Sequence, residues 1–357
     1  EISLGLVGSE MCIRDSSIIK HIWLRLHMLR DVATAALVAF GCLWGLLARL
    51  GLTGLNTYDG KSIAPLVWAQ AVGCVVMGYI SHDESKAVLQ RWYAPLHAMI
   101  GTGFAASCTA FSTWMLDVFQ AYSNFPSYDR HGLHNVMDAL TQTGATVGMS
   151  IVAFWAGHAL VGVVSLKELG RHVRLSGTGP VVDLAAMVLG LAFWIGAALF
   201  CGLYAPFRNV TFALSLAPFG ALIRWQLSRL NPKLSADTPM RIWDVHRWPL
   251  GTMTANLLAT AAIASSVTAM YVGRVQGHAS RSAYTKVSCE VLQGLQDGFC
   301  GSLSTVSTLI AEIVTMQPRR AAAAYLIACY ALSMLLCVLL LGAPWWALGM
   351  QGGCRVW

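Results

Sequence analysis

Charge is what this chain has least of. Only 11% of its 357 residues are Asp, Glu, Lys or Arg, against about 25% in soluble domains, which excludes an ordinary water-soluble globule. Ten cysteines occur, yet no CxxC pair and no Cys/His metal spacing is found among them. Most of them (Cys42, Cys74, Cys108, Cys201, Cys300, Cys329, Cys337) sit in apolar stretches and read as small buried hydrophobes, so no disulfide framework is expected. P-loop, HExxH, nucleophile-elbow and strand-led GxGxxG motifs are all missing, which removes the usual routes to hydrolase or dinucleotide chemistry. The acids inside apolar stretches (Asp117, Asp138, Asp183, Glu290, Asp297, Glu312) lie mostly toward the ends, and the deepest, Asp297, has no evident partner. An enzyme within a membrane needs convergent ionisable groups, so catalysis is not expected. Ten-residue alternation of the transmembrane β kind is absent too. The net charge of +7 is spread over loops, so nucleic acid is not an expected partner.

Hydrophobic residues, by contrast, make up 56% of the chain. About 20 apolar residues cross a bilayer as a helix, and nine candidate stretches stand out: 32–53, 63–81, 93–119, 137–165, 181–203, 209–228, 249–270, 289–315 and 321–343. The expected fold is an all-α integral membrane protein, a helical bundle with the lipid bilayer as its solvent. The N-terminus and the loops after stretches 2, 4, 6 and 8 hold 15 Lys and Arg; the other side holds 7. Positive-inside then places the N-terminus in the cytosol and the C-terminus outside. Arg49 and Arg224 alone fall within stretches. Residues 1–16 do not resemble a signal peptide and read as non-native sequence, with Met28 a candidate start. The loop 120–137 and the basic loop 273–286 carry nothing that names a partner.

Three anchors recur in order. Gly45 to Arg49 (GLLAR) matches Gly220 to Arg224 (GALIR). Pro65 to Gln70 matches Pro249 to Asn256 (PLGTMTAN), with two fewer residues in the first copy. Gly103 to Trp114 (GFAASCTAFSTW) matches Gly298 to Leu309 (GFCGSLSTVSTL) without a gap and with five identities, and Asp117 then stands opposite Glu312. The stretch 181–204 has no counterpart. Four helices, one connector and four helices force the second half to enter from the opposite side, an arrangement that brings functional sites to the mid-membrane interface of the repeats. The expected layout is a tail (1–30), a first four-helix domain (31–166), a linker helix (181–204), a second domain (205–343) and a tail (344–357).

Gly101 to Trp114 holds five hydroxyl side chains. Glycine and hydroxyl runs weaken a helix and free its carbonyls, and lipid tolerates such a break only where protein buries it or a cavity lines it. The third helix of each half is therefore expected to be broken. Two breaks meeting on the repeat axis offer converging carbonyls to a small hard cation; close helix packing by small residues is the alternative. Phe111 and Trp114 share a face flanking Ser112 and Thr113, so their ring edges can meet an anion or simply pack in the core. Gln70 and Asn256 are buried amides that either bridge helices or donate to a permeating anion. Gln142, Thr146 and Ser150 form a polar face on the fourth helix, as do Tyr325, Cys329 and Ser333 in the other half; uncharged hydroxyls suit an anion that must be dehydrated without being trapped. Arg49 and Arg224 close their helices, where snorkelling is usual and a positive pore mouth is the other use.

These motifs resemble those of the Fluc (CrcB) fluoride channels, small four-helix proteins that form antiparallel dimers, and the joined halves look like the eukaryotic FEX fluoride exporters. The resemblance covers about residues 31–343. It implies passive fluoride export across the plasma membrane through pathways between the halves, with the single chain acting as a pseudo-dimer. It further implies a structural sodium ion held by the backbone of Ala106, Thr109, Gly301 and Ser304. The pore phenylalanines fall on Phe111 and Trp114, and on Val306 and Leu309; the pore asparagine falls on Gln70 and Asn256. The fourth-helix polar track falls on the two polar faces already named. Only the Phe111/Trp114 pair with Asn256 retains the pattern, which predicts one competent and one degenerate pore, the latter marked by Gln70, Val306 and Leu309. A coupled transporter of another small anion is the competing expectation.

Overall fold

The computed structural model describes residues 4–125, 127–168, 179–232, 245–272, 286–350 and 354, with the backbone alone for 4–27 and 246. The basic loop after residue 272 and nearly all of the tail beyond 350 lie outside the described residues. Among those described there is no β-strand, and the order is α1 (Leu4–Leu55), α2 (Leu66–Ser81), α3 (Asp83–Ala98), a π-turn (Met99–Ala105), α4 (Ala106–Cys108), α5 (Phe111–Ser123) and α6 (Gly132–Leu160). Next come α7 (Pro180–Leu203), α8 (Arg208–Ser228), α9 (Leu250–Val272), α10 (Lys286–Gly294), a π-turn (Leu295–Cys300), α11 (Gly301–Leu303), α12 (Ser307–Thr315), α13 (Arg319–Cys337), a π-turn (Val338–Gly342) and α14 (Ala343–Leu348). Among the described residues, six helices are long and apolar enough to cross a membrane, and α2 is a shorter apolar one.

One boundary differs from expectation and one agrees with it. Helix α1 begins at Leu4, so the stretch read as a tail is helical. Within α3 the backbone of Tyr93 is extended (φ −165°, ψ 106°), which separates the charged Asp83–Trp92 turns from the apolar run expected from 93. The reason is chemical: Asp83, Glu84, Lys86 and Arg91 cannot share the hydrocarbon with the residues that follow.

Lipid tails are as apolar as leucine, so these helices associate through close backbone approach and hydrogen bonds rather than through water expulsion. Gly78 and Gly157 let α2 and α6 touch: a Cβ on either would lie 2.0 Å from a facing carbonyl, that of Phe154 or Val75. The linker α7 seats Gly190 against the carbonyl of Ala36. At its start the buried Asp183 takes Arg30 Nε at 2.9 Å and the Tyr93 hydroxyl at 2.5 Å. Its other side meets the second half, where Trp194 Nε1 donates to Ser215 O at 3.0 Å and its ring meets Phe219 edge-on. One core runs through both halves and includes Phe111, Trp114, Phe154, Leu309, Ile310 and Tyr325.

The cysteines require a correction. Seven are buried and free, as their apolar settings suggest, but Cys289 and Cys354 form a disulfide across 65 residues. Neither lies deep in an apolar stretch, and so long a separation leaves no spacing signal to read.

Candidate functional site

Both third helices are broken, and in the same way. Each passes through a π-turn and one short α-turn, then an extended residue, Thr109 (φ −97°, ψ 148°) or Ser304 (φ −87°, ψ 161°). A break in a buried helix orphans N–H and C=O groups, each of which needs a partner. The partners are side chains, and they are duplicated. Gln70 Oε1 accepts from Ala110 N at 3.3 Å and Gln70 Nε2 donates to Ala110 O at 3.0 Å. Asn256 makes the same clamp on Thr305, with Oδ1 accepting from Thr305 N at 2.8 Å and Nδ2 donating to Thr305 O at 3.2 Å. The break hydroxyls then cross between the halves. Ser304 Oγ accepts from Ser112 N at 3.0 Å, while Thr109 Oγ1 accepts from Ser307 N and Val306 N, each at 3.2 Å. Each break residue therefore caps the opposite half's pore helix.

The arginines also cross between the halves, which corrects the reading of them as snorkelling helix ends. Both are buried at 3% exposure. Arg49 Nη2 donates to the carbonyl of Asp297, in the second π-turn, and Arg224 Nη2 to the carbonyl of Thr102, at the matching place in the first. Arg224 Nη1 adds the carbonyls of Ser302 and, at 3.1 Å, Ser304. Four residues earlier, Gly45 and Gly220 permit this: a Cβ on either would stand 2.3 Å from the carbonyl of Phe104 or Phe299. Guanidinium is the right group for the task, because its five donors serve several carbonyls at once. Asp297, which had no partner in the sequence, accepts from Gln293 Nε2 at 2.8 Å.

Phe111 and Trp114 stand edge to face, 5.5 Å apart at 88°. Their helix α5 packs on α6 of its own half and, across the interface, on α9 and α13. Trp114 meets the Tyr330 ring of α13 at 6.2 Å, and its Nε1 is buried with no partner among the described residues, as are the hydroxyls of Ser150 and Ser333. Helix α12, with Val306 and Leu309 buried in the core, packs on α13 of its own half and, across the interface, on α2 and α6. Asn256 is thus on a helix facing the aromatic pair and Gln70 on one facing Val306 and Leu309, while α6 and α13, which carry the Gln142/Thr146/Ser150 and Tyr325/Cys329/Ser333 tracks, each face both.

A cavity of 640 Å³ opens at the α5–α6 end, lined among others by Arg49, Thr113, Asp117, Asp138, Gln142 and Asp297. Arg49 Nη1 and Thr53 Oγ1, both on its wall, have no partner among the described residues. At the other end the counterpart of Asp117 is enclosed. Glu312 accepts from Thr252 Oγ1 at 2.5 Å, from the Tyr325 hydroxyl at 3.0 Å and from Asn231 Nδ2 at 3.2 Å. Sequence reading missed Thr252, although it lies one turn before Asn256 on the same face; Asn231 and Tyr330 carry no local signal. Backbone ligation at Ala106, Thr109, Gly301 and Ser304 is compatible with their full burial, and no group of three or more His, Cys, Asp or Glu able to hold a metal occurs among the described residues.

Comparison with known proteins agrees with this arrangement. The family described as "CrcB-like protein, Camphor Resistance (CrcB)" matches the chain twice, over residues 36–158 and 211–345. Fluoride export protein 1 of Candida albicans is 31% identical over 334 residues, covering 88% of this chain and 80% of that protein. Fluoride export protein 1 of Schizosaccharomyces pombe is 32% identical over 312 residues, covering 85% and 94%. Fluoride-specific ion channel FluC 1 of Lactobacillus delbrueckii is 29% identical over 134 residues, 38% of this chain but 92% of its own, as expected for a relative of one half. No solved structure matches. With both halves matched in order and relatives aligned along most of its length, this chain belongs to the CrcB-like family.

Proposed function

We propose that this protein is a passive channel that lets fluoride leave the cytosol, a membrane ion channel and not an enzyme. The observation that carries the proposal is the aromatic pair in a bed of uncharged donors. Phe111 and Trp114 present ring edges, and Trp114 Nε1 and Ser333 Oγ are buried donors with no partner among the described residues. Such groups can replace part of a small anion's hydration shell, and with no formal charge among them they do not hold it. The family match and the relatives' names point to the same ion.

The conducting pathway is the one flanked by Phe111, Ser112, Thr113 and Trp114 with Asn256 and the Tyr325/Cys329/Ser333 face. The one marked by Gln70, Val306 and Leu309 is degenerate. Arg49, Thr113 and Gln142 meet the anion in the cavity, and Arg224 holds the breaks. A negative membrane potential drives export without ATP, at about 2.3 kcal/mol per 100 mV for one charge.

In this reading nine helical crossings form two inverted four-helix repeats around α7, and a single chain suffices. The N-terminus is cytosolic and the C-terminus outside, in the plasma membrane. The Cys289–Cys354 bond supports that orientation, since it falls on the end so assigned and disulfides persist in oxidising compartments. After reduction of the bond, labelling of these cysteines by an impermeant maleimide only upon permeabilisation would reverse it.

Sodium fits the breaks. In an unbroken helix Ala110 N would bond Ala106 O, and Thr305 N would bond Gly301 O; both N–H groups go to Gln70 and Asn256 instead, so neither carbonyl has its helical partner, and Ala106 O, which accepts from Thr109 Oγ1 at 3.1 Å, keeps a second lone pair. Ser304 O accepts from Arg224 and keeps a second lone pair, and Thr109 O completes a set of neutral hard donors. A bound sodium ion would supply a fixed charge drawing the two breaks together. Replacing sodium by a bulky organic cation should lower the melting temperature of the purified protein; an unchanged value removes the ion from the reading.

The deciding experiment is efflux from liposomes holding the purified protein, followed with a fluoride electrode after adding a potassium ionophore. Rapid efflux of fluoride with none of chloride is the expected result. No efflux from folded, sodium-loaded protein overturns the channel and favours a coupled transporter of another solute.

A further inference from the structure

We infer that Gln70, on the half that lacks the pore asparagine, is the residue that positions the conducting helix, although it lines the other pathway. This rests on the channel reading above and concerns how that channel is held in shape.

The argument begins with the peptide group of Ala110. Its N–H and its carbonyl are both bound by one side chain, the fully buried amide of Gln70. Ala110 is extended (φ −140°, ψ 104°) and directly precedes Phe111. Its carbonyl also accepts the first hydrogen bond of α5, from Trp114 N at 3.3 Å. Gln70 therefore grips the group from which the Phe111/Trp114 helix grows. Helix α2 is itself firmly seated, because Gly73 brings it so close that a Cβ there would lie 2.5 Å from Thr109 Cγ2 and 2.8 Å from Ala105 O.

Asn256 does not do this for the aromatics. It clamps Thr305, the residue before Val306, and the next helix there takes its first bond one residue later, from Ile310 N to Val306 O at 2.8 Å. The amide facing the conducting aromatics and the amide holding them are thus two different residues. The clamp at position 70 needs an amide whatever the pathway beside it does.

Gln70→Met keeps the length of the side chain and deletes both hydrogen bonds. In the liposome assay, Gln70→Met is expected to cut fluoride efflux per folded channel about tenfold or more, in line with the loss of two buried hydrogen bonds, and to raise chloride leak. The chloride leak separates displaced aromatics from a lower yield of folded protein. Gln70→Asn, which shortens the clamp by one methylene, should fold and show a reduced fluoride-to-chloride ratio. Wild-type rate and selectivity in Gln70→Met overturn the inference; should that variant not fold, an unchanged ratio in Gln70→Asn does so. Absent fluoride efflux from the wild type would instead sink the channel reading itself.

Discussion

The two halves share their scaffolding and differ in what it carries. Extended break, amide clamp, crossing hydroxyl and crossing arginine each appear twice, and the partners match position for position: Ala110 with Thr305, Ser112 with Ser307, Thr102 with Asp297. What the scaffold presents has diverged. Phe111 and Trp114 stand against Val306 and Leu309, and the open cavity at Asp117 stands against the enclosed Glu312. The difference separates two kinds of constraint. Groups that satisfy an orphaned backbone in lipid cannot be given up by either half, since each unsatisfied one costs free energy in both. With one conducting pathway, as proposed, groups that only meet the ion are needed once.

The largest effect should come from making the halves alike. Carrying the second half's residues into the first, as Phe111→Val with Trp114→Leu, is expected to abolish fluoride efflux to below about a hundredth of wild type, the scale on which displaced contacts act at a reacting or conducting centre. Val306→Ala with Leu309→Ala should leave the rate near wild type while lowering stability. Equal losses in both pairs would mean that two pathways conduct.

Next in size is the arginine pair, which breaks the comparison on stability. Arg224 serves the carbonyls of Thr102, Ser302 and Ser304 and the hydroxyl of Ser107, whereas Arg49 serves Asp297 O. Leaving buried acceptors unsatisfied costs about 1–3 kcal/mol each, so Arg224→Met should lower the melting temperature clearly more than Arg49→Met. Equal shifts would show that the guanidinium charge matters more than the carbonyls it reaches.

A smaller difference separates the two acids. Glu312→Ala removes the acceptor shared by Thr252, Asn231 and Tyr325, a cost of about 1–3 kcal/mol. Asp117 faces a cavity, so Asp117→Ala should alter stability by less than about 0.5 kcal/mol. Urea or thermal melts of the two variants in the same detergent would check the ordering.

Much of this was legible before any coordinates, and the reason is physical. Hydrophobic runs of membrane length must be helices, and a repeated Gly/Ser/Thr patch in lipid must be an exception to helix. GLLAR and GALIR marked the repeat, but not that their glycines and arginines meet the breaks. Partners across long separations were not legible. Nothing near Arg49 in sequence says that its guanidinium reaches Asp297, 248 residues on, and its position at a helix end argued for snorkelling. Gln70 and Asn256 could be read as buried amides needing partners, but which peptide they would hold depends on a backbone already broken. The Cys289–Cys354 pair lay beyond inference for the same reason.

The smallest expected effect concerns the linker, which belongs to neither half and so tests how independent they are. Helix α7 holds the first half through Asp183, with Arg30 and Tyr93, and the second through Trp194 on Ser215 O. Arg30 keeps 33% side-chain exposure, so its ion pair with Asp183 is partly screened and Asp183→Asn should cost only about 0.5–1 kcal/mol. Trp194→Phe deletes one hydrogen bond at a similar cost. Because the two clusters share no partner, the costs should add in the double variant to within about 0.5 kcal/mol, with fluoride efflux unchanged. A double variant much weaker than the sum would mean that the linker clasps the halves as one rigid staple; simple addition would mean that the crossing arginines and hydroxyls, and not α7, keep the two breaks in register.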